Sequence, residues 1–328
     1  MTKLDELVQC ITHTHVYVQM HNYPDQDALS SAMGLQVLLK SRNIDSTLIY
    51  YGVVDKENTL KMIEMLHVEL YPADTLQINK DDEIIIVDSQ KGNLNITNTV
   101  GMEIACIDHH TPHNVEDYRF YDIRENVGAC ASIIASYFEE NNIDLSTEIA
   151  TALVYGLKMD TAQLTRRISK LDFDMFCHLF QKADATLLRI FEMSSLKLKE
   201  LVNYMNAIAD LKIDHNVAIA NIGNNCSEAI IGSVNDFLLT ISEISFSVIY
   251  SYRAEGIKFS VRSALMELNA GEIIHEALNG LGDGGGHSDM AAGIIPNITD
   301  ETLGAPYVDQ VIQRIIQYIQ KKGTVKKL

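Results

Sequence analysis

Three side chains suited to binding a metal ion lie close together near the amino terminus. His21, Asp25 and Asp27 follow an apolar run and precede an amphipathic pattern. The run predicts a strand over residues 15–20, and the pattern predicts a helix over residues 28–40. An imidazole with two carboxylates suits a borderline divalent ion such as Mn²⁺ better than it suits Ca²⁺, which prefers oxygen ligands. Seen alone, the two acids could also belong to a solvated turn or a helix N-cap.

Further titratable residues end two other predicted strands. Asp88 ends the β-branched run 83–87, and Asp108, His109 and His110 end the next apolar run. Seen alone, an acid at a strand tip could simply cap a loop. Packing explains three adjacent titratable groups less well. Because two adjacent imidazoles would point apart, the two histidines need separate roles.

A fourth acidic position, Asp160, follows an apolar helix predicted over residues 147–159, and by itself it could be a helix-end acid. The carboxyl ends of parallel strands share one edge of a sheet, however, and open α/β sheets bind their ligands there. Two metal ions about 3.5–4 Å apart need a bridging carboxylate and two or three further ligands each. The candidate metal ligands that meet this requirement are His21, Asp25, Asp27, Asp88, His109 and Asp160.

The first half of the chain alternates strand and helix patterns. Strands are predicted over residues 15–20, 47–51, 83–87 and 103–107, and helices over residues 28–40, 58–66, 129–139, 147–159 and 172–182. This alternation predicts an α/β fold with a mostly parallel sheet flanked by helices. We expect this metal-binding domain to occupy residues 1–185.

The second half begins after a helical stretch without Pro or Gly, which predicts a linker over residues 186–210. A smaller α/β domain with a mixed sheet is predicted over residues 211–328. Its strands are expected at 217–222, 245–252, 257–262 and 290–295, and its helices at 233–241, 270–278 and 301–320. A glycine-rich turn is expected between the second of these helices and the last strand.

Composition limits the partners and the compartment. The formal net charge is −18, from 44 acidic and 26 basic residues. Such a chain repels long duplex nucleic acid, so a polyanionic substrate must be small. Five scattered cysteines without a CxxC pair favour a reducing compartment, which we expect to be the cytoplasm. The sequence predicts no membrane-spanning segment, and it assigns no role to the seven other histidines, His113 among them.

The order of these motifs resembles the DHH phosphoesterase family, which is named after the Asp-His-His triplet. The resemblance covers nearly the whole chain and extends to a DHH-associated substrate-binding domain in the second half. In chain order the matching motifs are His21-xxx-Asp25-x-Asp27, Asp88-Ser89, Asp108-His109-His110, Asp160-Thr161, Val261-Arg262-Ser263 and Gly284-Gly285-Gly286-His287. Length and layout are closest to bacterial oligoribonucleases, pAp phosphatases and cyclic-dinucleotide phosphodiesterases.

The resemblance also implies a role for each residue. One metal ion would be held by His21, Asp25 and Asp88, and a second by Asp27, Asp88, His109 and Asp160, with Asp88 as the bridge. His110 would contact the scissile phosphate, and Asp108 would support the cluster as an outer acceptor that fixes an imidazole tautomer. The substrate-binding residues would be Arg262, Ser263, Gly284, Gly285, Gly286 and His287.

The chemistry of the substrate motifs agrees with these roles. Successive glycines let backbone N–H groups approach phosphate oxygens, and the Arg262 guanidinium is a planar fork that matches phosphate. Three positions depart from the family pattern, because Ala264, Asp283 and Ser288 replace residues that are often Lys, Gly and Pro or Lys. All three changes lie on the substrate side and reduce its positive charge, which puts the choice of substrate in doubt.

The function expected from the resemblance is two-metal hydrolysis of short oligonucleotides or small nucleotides. The cofactors would be two divalent ions, Mn²⁺ before Mg²⁺ or Co²⁺, and the attacking group a metal-bridging hydroxide. The alternatives are a polyphosphatase or pyrophosphatase with the same metal site, or a catalytically silent nucleotide-binding module. The sequence identifies no general acid for the leaving group, and it is compatible with a homodimer.

Overall fold

The computed structural model describes residues 1–93, 95–112, 115–193, 196–265 and 267–322. His113 lies outside these residues. The chain divides into two compact units, Met1–Leu196 and Lys197–Leu328. In the described part of the chain, none of the helices combines the length and hydropathy needed to span a lipid bilayer.

The first unit is built on a parallel sheet. Its strands within the described residues are β1 (His15–Gln19), β2 (Asp45–Tyr50), β3 (Leu70–Pro72), β4 (Glu83–Val87), β5 (Met102–Asp108) and β6 (Phe120–Ile123). The strand order is β3-β2-β1-β4-β5-β6, and each neighbouring pair is parallel. The predicted α/β fold with a mostly parallel sheet is therefore confirmed.

Helices flank this sheet. They are α1 (Lys3–Cys10), α2 (Gln26–Lys40), α3 (Glu57–Met65), α4 (Cys130–Glu140), α5 (Thr147–Asp160), α6 (Lys170–Phe180) and α7 (Ala185–Met193). All five residues of β4 are buried, as expected for a parallel strand that is covered on both faces. The sequence missed α1 and the edge strands β3 and β6, which are only three and four residues long.

The strand order reverses direction between β1 and β4. From β1 the chain builds outward through β2 and β3, and it then returns to add β4, β5 and β6 on the other side. The carboxyl ends of β1 and β4 consequently diverge at a topological switch point, which is where open α/β sheets form a ligand crevice. The segments that follow β1, β4 and β5 carry the candidate metal ligands.

The second unit is built on a mixed sheet. Its strands are β7 (Lys212–Asp214), β8 (Val217–Asn224), β9 (Phe246–Arg253), β10 (Gly256–Ser263), β11 (Asp283–Gly286) and β12 (Met290–Pro296). Its helices are α8 (Leu201–Ala209), α9 (Glu228–Leu238), α10 (Ala270–Leu278) and α11 (Glu301–Lys321). The order is β11-β12-β10-β9-β8-β7, with β8 and β9 parallel and the other pairs antiparallel. The predicted mixed sheet is confirmed.

Two predicted segments differ in the structure. The stretch expected to be one helical linker over residues 186–210 contains α7 in the first unit and α8 in the second. The glycine run expected to be a turn is strand β11, which pairs with β12 through Gly284–Gly293 and Gly285–Ala292. Glycine is depleted in strands, so the glycine run predicts a turn, whereas pairing with β12 makes it a strand.

Candidate functional site

The turn after β1 places Asp25 at the start of α2. The Asp25 Oδ1 atom accepts hydrogen bonds from the backbone N–H groups of Asp27 (3.0 Å) and Ala28 (3.1 Å), which makes Asp25 the N-cap of that helix. Its other oxygen lies 3.4 Å from Lys56 Nζ, and its Oδ1 lies 3.9 Å from His21 Nε2. Burial raises the pKa of Asp25, but the charge of Lys56 and the contact with His21 outweigh it and hold that pKa well below the ordinary value.

Asp27 is buried and caps a different helix. Its two oxygens accept hydrogen bonds from the backbone N–H groups of Cys130 (2.7 Å) and Ala131 (2.8 Å) in the first turn of α4. A carboxylate is favoured at the positive end of a helix. Burial nevertheless raises the pKa of Asp27 well above its ordinary value, and the charges of Asp88 and Asp160 add to this rise. The sequence reasoning missed the partnership with α4.

Asp88 lies at the centre of the cluster, directly after β4. Its φ is 57°, in the left-handed region, at a cost of about 1 kcal/mol or more for a non-glycine residue. Its Oδ2 lies 3.8 Å from His21 Nε2, and its Oδ1 lies 3.3 Å from His109 Nε2. Burial raises the pKa of Asp88 well above normal, and the nearby charge of Asp25 raises it further. Each carboxylate oxygen therefore faces a different histidine.

His109 directs a ring nitrogen at two carboxylates. Its Nδ1 lies 3.2 Å from the Val127 carbonyl, which can only accept, so Nδ1 carries a proton. In the neutral ring Nε2 is then a lone pair, 3.3 Å from Asp88 Oδ1 and 3.4 Å from Asp160 Oδ2. Among the described residues, neither of these two buried oxygens has a hydrogen-bond partner. Three electron-rich atoms that converge in this way require a cation or a proton between them.

Asp160 adds a carboxylate at the last residue of α5. The carboxyl end of a helix carries partial negative charge, so an acid there is unfavourable unless a cation is close. Gly156, one turn earlier, allows α5 to approach α2, since a Cβ at that position would lie 2.2 Å from Ser30 Oγ and 3.1 Å from the Cα of Asp27. The close packing of α5 on α2 brings Asp160 to the cluster.

Asp108 holds the second histidine of the triplet. It is fully buried, and its Oδ1 accepts hydrogen bonds from His110 Nδ1 (2.8 Å) and from the His109 backbone N–H (2.8 Å). Its Oδ2 accepts from Gln90 Nε2 at 2.7 Å. Burial alone would raise the pKa of Asp108, but the hydrogen bond from His110 lowers it below normal. Burial alone would lower the pKa of His110, but the Asp108 hydrogen bond raises it, so the pair favours an imidazolium.

The candidate metal ligands fall into overlapping groups. Within each group one ligand atom per residue lies within 4.8 Å of the others, and the groups are His21–Asp25–Asp88, Asp27–His109–Asp160 and Asp88–Asp108–His109–His110. The structure therefore brings all six predicted metal ligands, together with Asp108 and His110, to one place. Imidazole nitrogens and carboxylate oxygens in acidic excess fit a divalent cation of intermediate softness. The residues that hold these ligands, Lys56, Gln90, Val127 and the start of α4, were not identified from the sequence.

A pocket of about 310 Å³ lies in the second unit. Four of the six predicted substrate-binding residues line it, namely Arg262, Gly285, Gly286 and His287. The other two have packing or hydrogen-bonding roles, because a Cβ at Gly284 would lie 2.8 Å from Leu278 Cδ1, and the buried Ser263 hydroxyl donates to the Leu265 carbonyl at 3.0 Å.

The two lining glycines differ in what requires them. Gly286 has a φ of 147°, and a Cβ there would lie 2.6 Å from the Cα of Ala291. A Cβ at Gly285 would meet nothing within 4 Å. The glycine at 286 is therefore dictated by the backbone and by β12, whereas a side chain at 285 would only occupy open space beside the pocket.

The three positions that depart from the family pattern make local contacts in the structure. None of them is among the described residues that line the pocket. Ala264 is exposed and its N–H donates to the Ser245 carbonyl, while Asp283 Oδ1 accepts from the Gly284 N–H at 2.9 Å. The carbonyl of Ser288 accepts from the N–H of Ala270, at the start of α10.

Comparison with known proteins adds family information to this geometry. The DHH family N-terminal domain matches residues 15–157, and the DHHA1 domain matches residues 214–321. An uncharacterized protein of Methanocaldococcus jannaschii is 30% identical over 313 residues, which cover 93% of this chain and 64% of that protein. The cyclic-di-AMP phosphodiesterase GdpP of Geobacillus thermodenitrificans is 27% identical over 307 residues, which cover 87% of this chain and 45% of the relative.

A solved structure shares the fold over nearly the full length. The crystal structure of an exopolyphosphatase-related protein from Bacteroides fragilis matches with a TM-score of 0.81 and 18% identity, over 98% of this chain and 97% of that chain. The chain spans less than two thirds of the length of the two relatives named above. With both domains present in order and the DHH triplet inside the acidic cluster, the chain belongs to the DHH family.

Proposed function

We propose that this protein is a phosphohydrolase that uses two divalent cations, Mn²⁺ in preference to Mg²⁺ or Co²⁺, to cleave short oligonucleotides or small nucleotides. The observation that carries the proposal is the position of Asp88. Its two oxygens face different histidines, His21 and His109, in two adjoining ligand groups. A carboxylate in that position suits the bridging role that a two-metal site requires.

The remaining ligands divide around that bridge. His21 and Asp25 would hold one cation with Asp88, while Asp27, His109 and Asp160 would hold the other with it. Bound there, two cations supply an activated water nucleophile and neutralise charge on the transferred phosphate. The buried Asp88 and Asp160 oxygens without hydrogen-bond partners among the described residues fit this role.

His110 would contact the phosphate, and Asp108 would hold the His110 ring; neither would serve as a metal ligand. The hydrogen bond from His110 Nδ1 to Asp108 fixes the ring and favours its protonated form. A positioned imidazolium stabilises negative charge that develops on phosphate oxygens in the transition state. The His109 ring would serve differently, because its Nδ1 proton is directed at the Val127 carbonyl and its Nε2 at the carboxylates.

The substrate class rests on the second unit. The pocket that contains Arg262, Gly285, Gly286 and His287 presents a guanidinium, backbone groups and an imidazole, which suit a phosphate. A relative that matches 87% of this chain is named a cyclic-di-AMP phosphodiesterase, which supports a nucleotide substrate. The net charge of −18 opposes long nucleic acid.

The test is a hydrolysis assay on the full chain after chelation and after addition of Mn²⁺, Mg²⁺ or Co²⁺. The substrates are pAp, pApA, RNA of two to five nucleotides, cyclic dinucleotides and pyrophosphate. We expect Mn²⁺-dependent cleavage of at least one nucleotide. We also expect Asp88→Asn to lower kcat/KM by about 10³-fold or more, because it removes the bridging charge.

The matched control is Asp144→Asn, the same change at an exposed aspartate, which should leave activity unaltered. Cleavage of pyrophosphate alone would replace the proposal with the polyphosphatase or pyrophosphatase alternative. Nucleotide binding without turnover under every metal would replace it with a silent binding module. Full activity in Asp88→Asn would refute the bridging assignment.

A further inference from the structure

Asp172 is a fully buried acid that is not among the candidate metal ligands. It is the third residue of α6, and it forms a capping box with Ser169, the N-cap of that helix. Capping uses only part of its carboxylate, however. Its Oδ2 also accepts a hydrogen bond from the backbone N–H of Gly128 (2.8 Å), and its Oδ1 accepts one from the hydroxyl of Ser132 (2.6 Å). Asp172 therefore joins α6 to the segment in which α4 begins.

The Val127 carbonyl and the Gly128 N–H belong to one peptide group. The N–H donates to Asp172, and the carbonyl accepts from His109 Nδ1 at 3.2 Å. A trans peptide is planar and directs these two groups in opposite directions, so it connects Asp172 on one side to His109 on the other. Hydrogen bonds in series polarise one another. The carboxylate of Asp172 therefore makes the carbonyl a stronger acceptor for the His109 ring.

The first turn of α4 lies between the two residues that Asp172 holds. Gly128 precedes this turn and Ser132 follows its first residues. The two backbone N–H groups that donate to Asp27, at 2.7 and 2.8 Å, come from the residues between them. Because Asp172 is bonded on both sides of these two donors, it restricts the position of the turn that holds the Asp27 carboxylate.

Gly128 also packs on the residue that follows Asp160. A Cβ at Gly128 would lie 2.7 Å from Thr161 Cγ2 and 2.8 Å from the Arg167 carbonyl oxygen. Thr161 is fully buried. Residues 127–132 therefore contact two of the three residues that would share one cation with Asp88, and they pack on the neighbour of the third. We call this ion the second cation, and its three residues are Asp27, His109 and Asp160.

We propose that Asp172 is a positioning residue for the second cation. This inference rests on the proposed function and assigns the support of one of its two metal sites to α6. The outer partner of a metal-binding imidazole fixes the ring and raises its basicity. Here that partner is a buried carboxylate that acts through a single peptide group. The first cation would depend on His21 and Asp25, which lie in the turn between β1 and α2, so its binding should not depend on Asp172.

The experiment measures the affinity of each cation separately from activity. Mn²⁺ is titrated by calorimetry into the chelated full chain, for the wild type and for Asp172→Ala. We expect two binding events in the wild type, and in the variant an affinity lowered by about tenfold or more for one event and little changed for the other. A double-mutant cycle identifies that event. The losses from Asp172→Ala and Asp160→Asn should not add, because both act on one site, whereas those from Asp172→Ala and His21→Asn should add.

Three further variants separate positioning from stability. Asp172→Asn keeps an oxygen for the Gly128 N–H, and the Ser132 hydroxyl can rotate to accept from the amide, so this variant should retain most of the affinity. Ser132→Ala removes a single hydrogen bond and should weaken the second cation by about two- to threefold. Ser146→Ala is the matched control, because it removes the N-cap of α5 in the same unit. It should lower the melting temperature and leave both Mn²⁺ affinities unchanged.

The outcomes distinguish this inference from the proposed function. Unchanged affinities in Asp172→Ala, or an equal loss at both sites, would overturn the positioning role while the two-metal site stands. A loss of affinity in Ser146→Ala as large as that in Asp172→Ala would also overturn it, because general destabilisation would then explain both. If Asp172→Ala does not fold, wild-type affinities in Ser132→Ala decide against the inference. A wild-type chain that binds fewer than two Mn²⁺ ions would instead refute the proposed function.

Discussion

The acidic cluster of the first unit, which contains the candidate metal ligands, and the pocket of the second unit differ in how their charges are paired. In the cluster, carboxylates converge in a buried position, and the Asp88 and Asp160 oxygens nearest His109 have no hydrogen-bond partner among the described residues. In the pocket, Lys258 and Arg262 each have a carboxylate within 3 Å. The cluster has an excess of negative charge, whereas these pocket cations are paired.

This difference predicts different responses to a ligand. Burying like charges without a compensating cation destabilises a fold, so the cluster should gain stability when a divalent ion binds. The pocket is already held by ion pairs and should change little on its own. The unit that carries the chemistry is therefore expected to depend on metal, whereas the proposed substrate pocket is preformed.

The largest effect should follow from removing the shared charge in the cluster. Asp88→Asn is expected to abolish the rise in melting temperature caused by Mn²⁺, because the proposed bridging ligand loses its charge. The same change should stabilise the chelated protein, since Asp88 has a raised pKa and is repelled by Asp25. Scanning calorimetry of the wild type and the variant, each with EDTA and with Mn²⁺, measures both effects.

A variant that keeps the wild-type response to Mn²⁺ would show that Asp88 is not a ligand. A chelated variant less stable than the chelated wild type would contradict the charge excess in the cluster. Arg262→Gln serves as the comparison in the pocket, because it should leave the Mn²⁺ response of the first unit unaltered. The contrast between the two units is therefore tested by one set of melting curves.

The stability of the chelated protein should depend on pH, because the acids of the cluster are buried together without a cation. Asp27 and Asp88 have raised pKa values in the folded protein, so the stability contributed by their protonated forms is lost as pH rises from about 4 through those raised values. His109 also has a raised pKa and acts in the same direction. Stability without metal should therefore fall between pH 5 and pH 8, measured as melting temperature.

Metal binding should show the opposite trend, because a cation competes with the protons on these groups. Titration calorimetry of Mn²⁺ should give an affinity that increases with pH and a release of protons. Asp88→Asn should flatten the stability profile of the chelated protein. A wild-type melting temperature that instead rises from pH 5 to pH 8 after chelation would contradict this account.

The sequence identified the cluster well because the signal is local and topological. Asp88 and the triplet that begins at Asp108 each follow an apolar run, and the parallel sheet brings the ends of such strands to one edge. The type and spacing of these residues were sufficient to propose all six metal ligands. The fold class was predicted for a similar reason, since the long central strands have strong apolar patterns.

Contacts across long stretches of chain could not be predicted in this way. The hydrogen bonds from α4 to Asp27 join residues 103 and 104 positions apart. The ion pair between Glu228 and Lys258 likewise forms because α9 packs on β10, and the sequence shows Glu228 only as an acid at a helix end. The sequence predicts a turn at β11 because glycine has no side chain to produce a strand pattern. Pairing with β12, which the sequence does not display, decides its conformation.

Substitutions at two glycines of the pocket should have different effects, one mainly on stability and the other mainly on substrate binding. Gly286→Ala is expected to destabilise the protein by about 2 kcal/mol or more, because alanine cannot adopt a φ of 147° without strain and its Cβ would collide with Ala291. Gly285→Ala should change stability by no more than about 0.5–1 kcal/mol. It should still raise the KM for pApA by about threefold, because the added methyl group lies beside the pocket.

Urea denaturation and steady-state kinetics on both variants make this test. If Gly285→Ala destabilises the protein as much as Gly286→Ala does, the distinction drawn from the open space at 285 is wrong. An unchanged KM in Gly285→Ala would remove Gly285 from the substrate contacts while leaving the other pocket residues in place.

The smallest effect is expected at Lys56, the cation that lies beside the cluster. Its ammonium group is 3.4 Å from Asp25 Oδ2, and its side chain is 40% exposed. Solvent screens such a pair, so the competition between Lys56 and a metal ion at Asp25 is modest. Lys56→Met should raise the affinity for Mn²⁺ by about two- to fivefold at pH 7.5, because it removes a positive charge while Asp25 stays ionised.

The sign of this change matters because the opposite result has a different physical meaning. Loss of Lys56 should let the pKa of Asp25 rise from its lowered value, but an ordinary aspartate is still ionised at pH 7.5. A lower affinity for Mn²⁺ in Lys56→Met would therefore show that Lys56 orients Asp25 rather than competing for it. In that case the ion pair with Lys56 would position Asp25, much as the ion pair between Glu228 and Lys258 does in the second unit. Asp25 would then be an exception to the unpaired charge of the cluster.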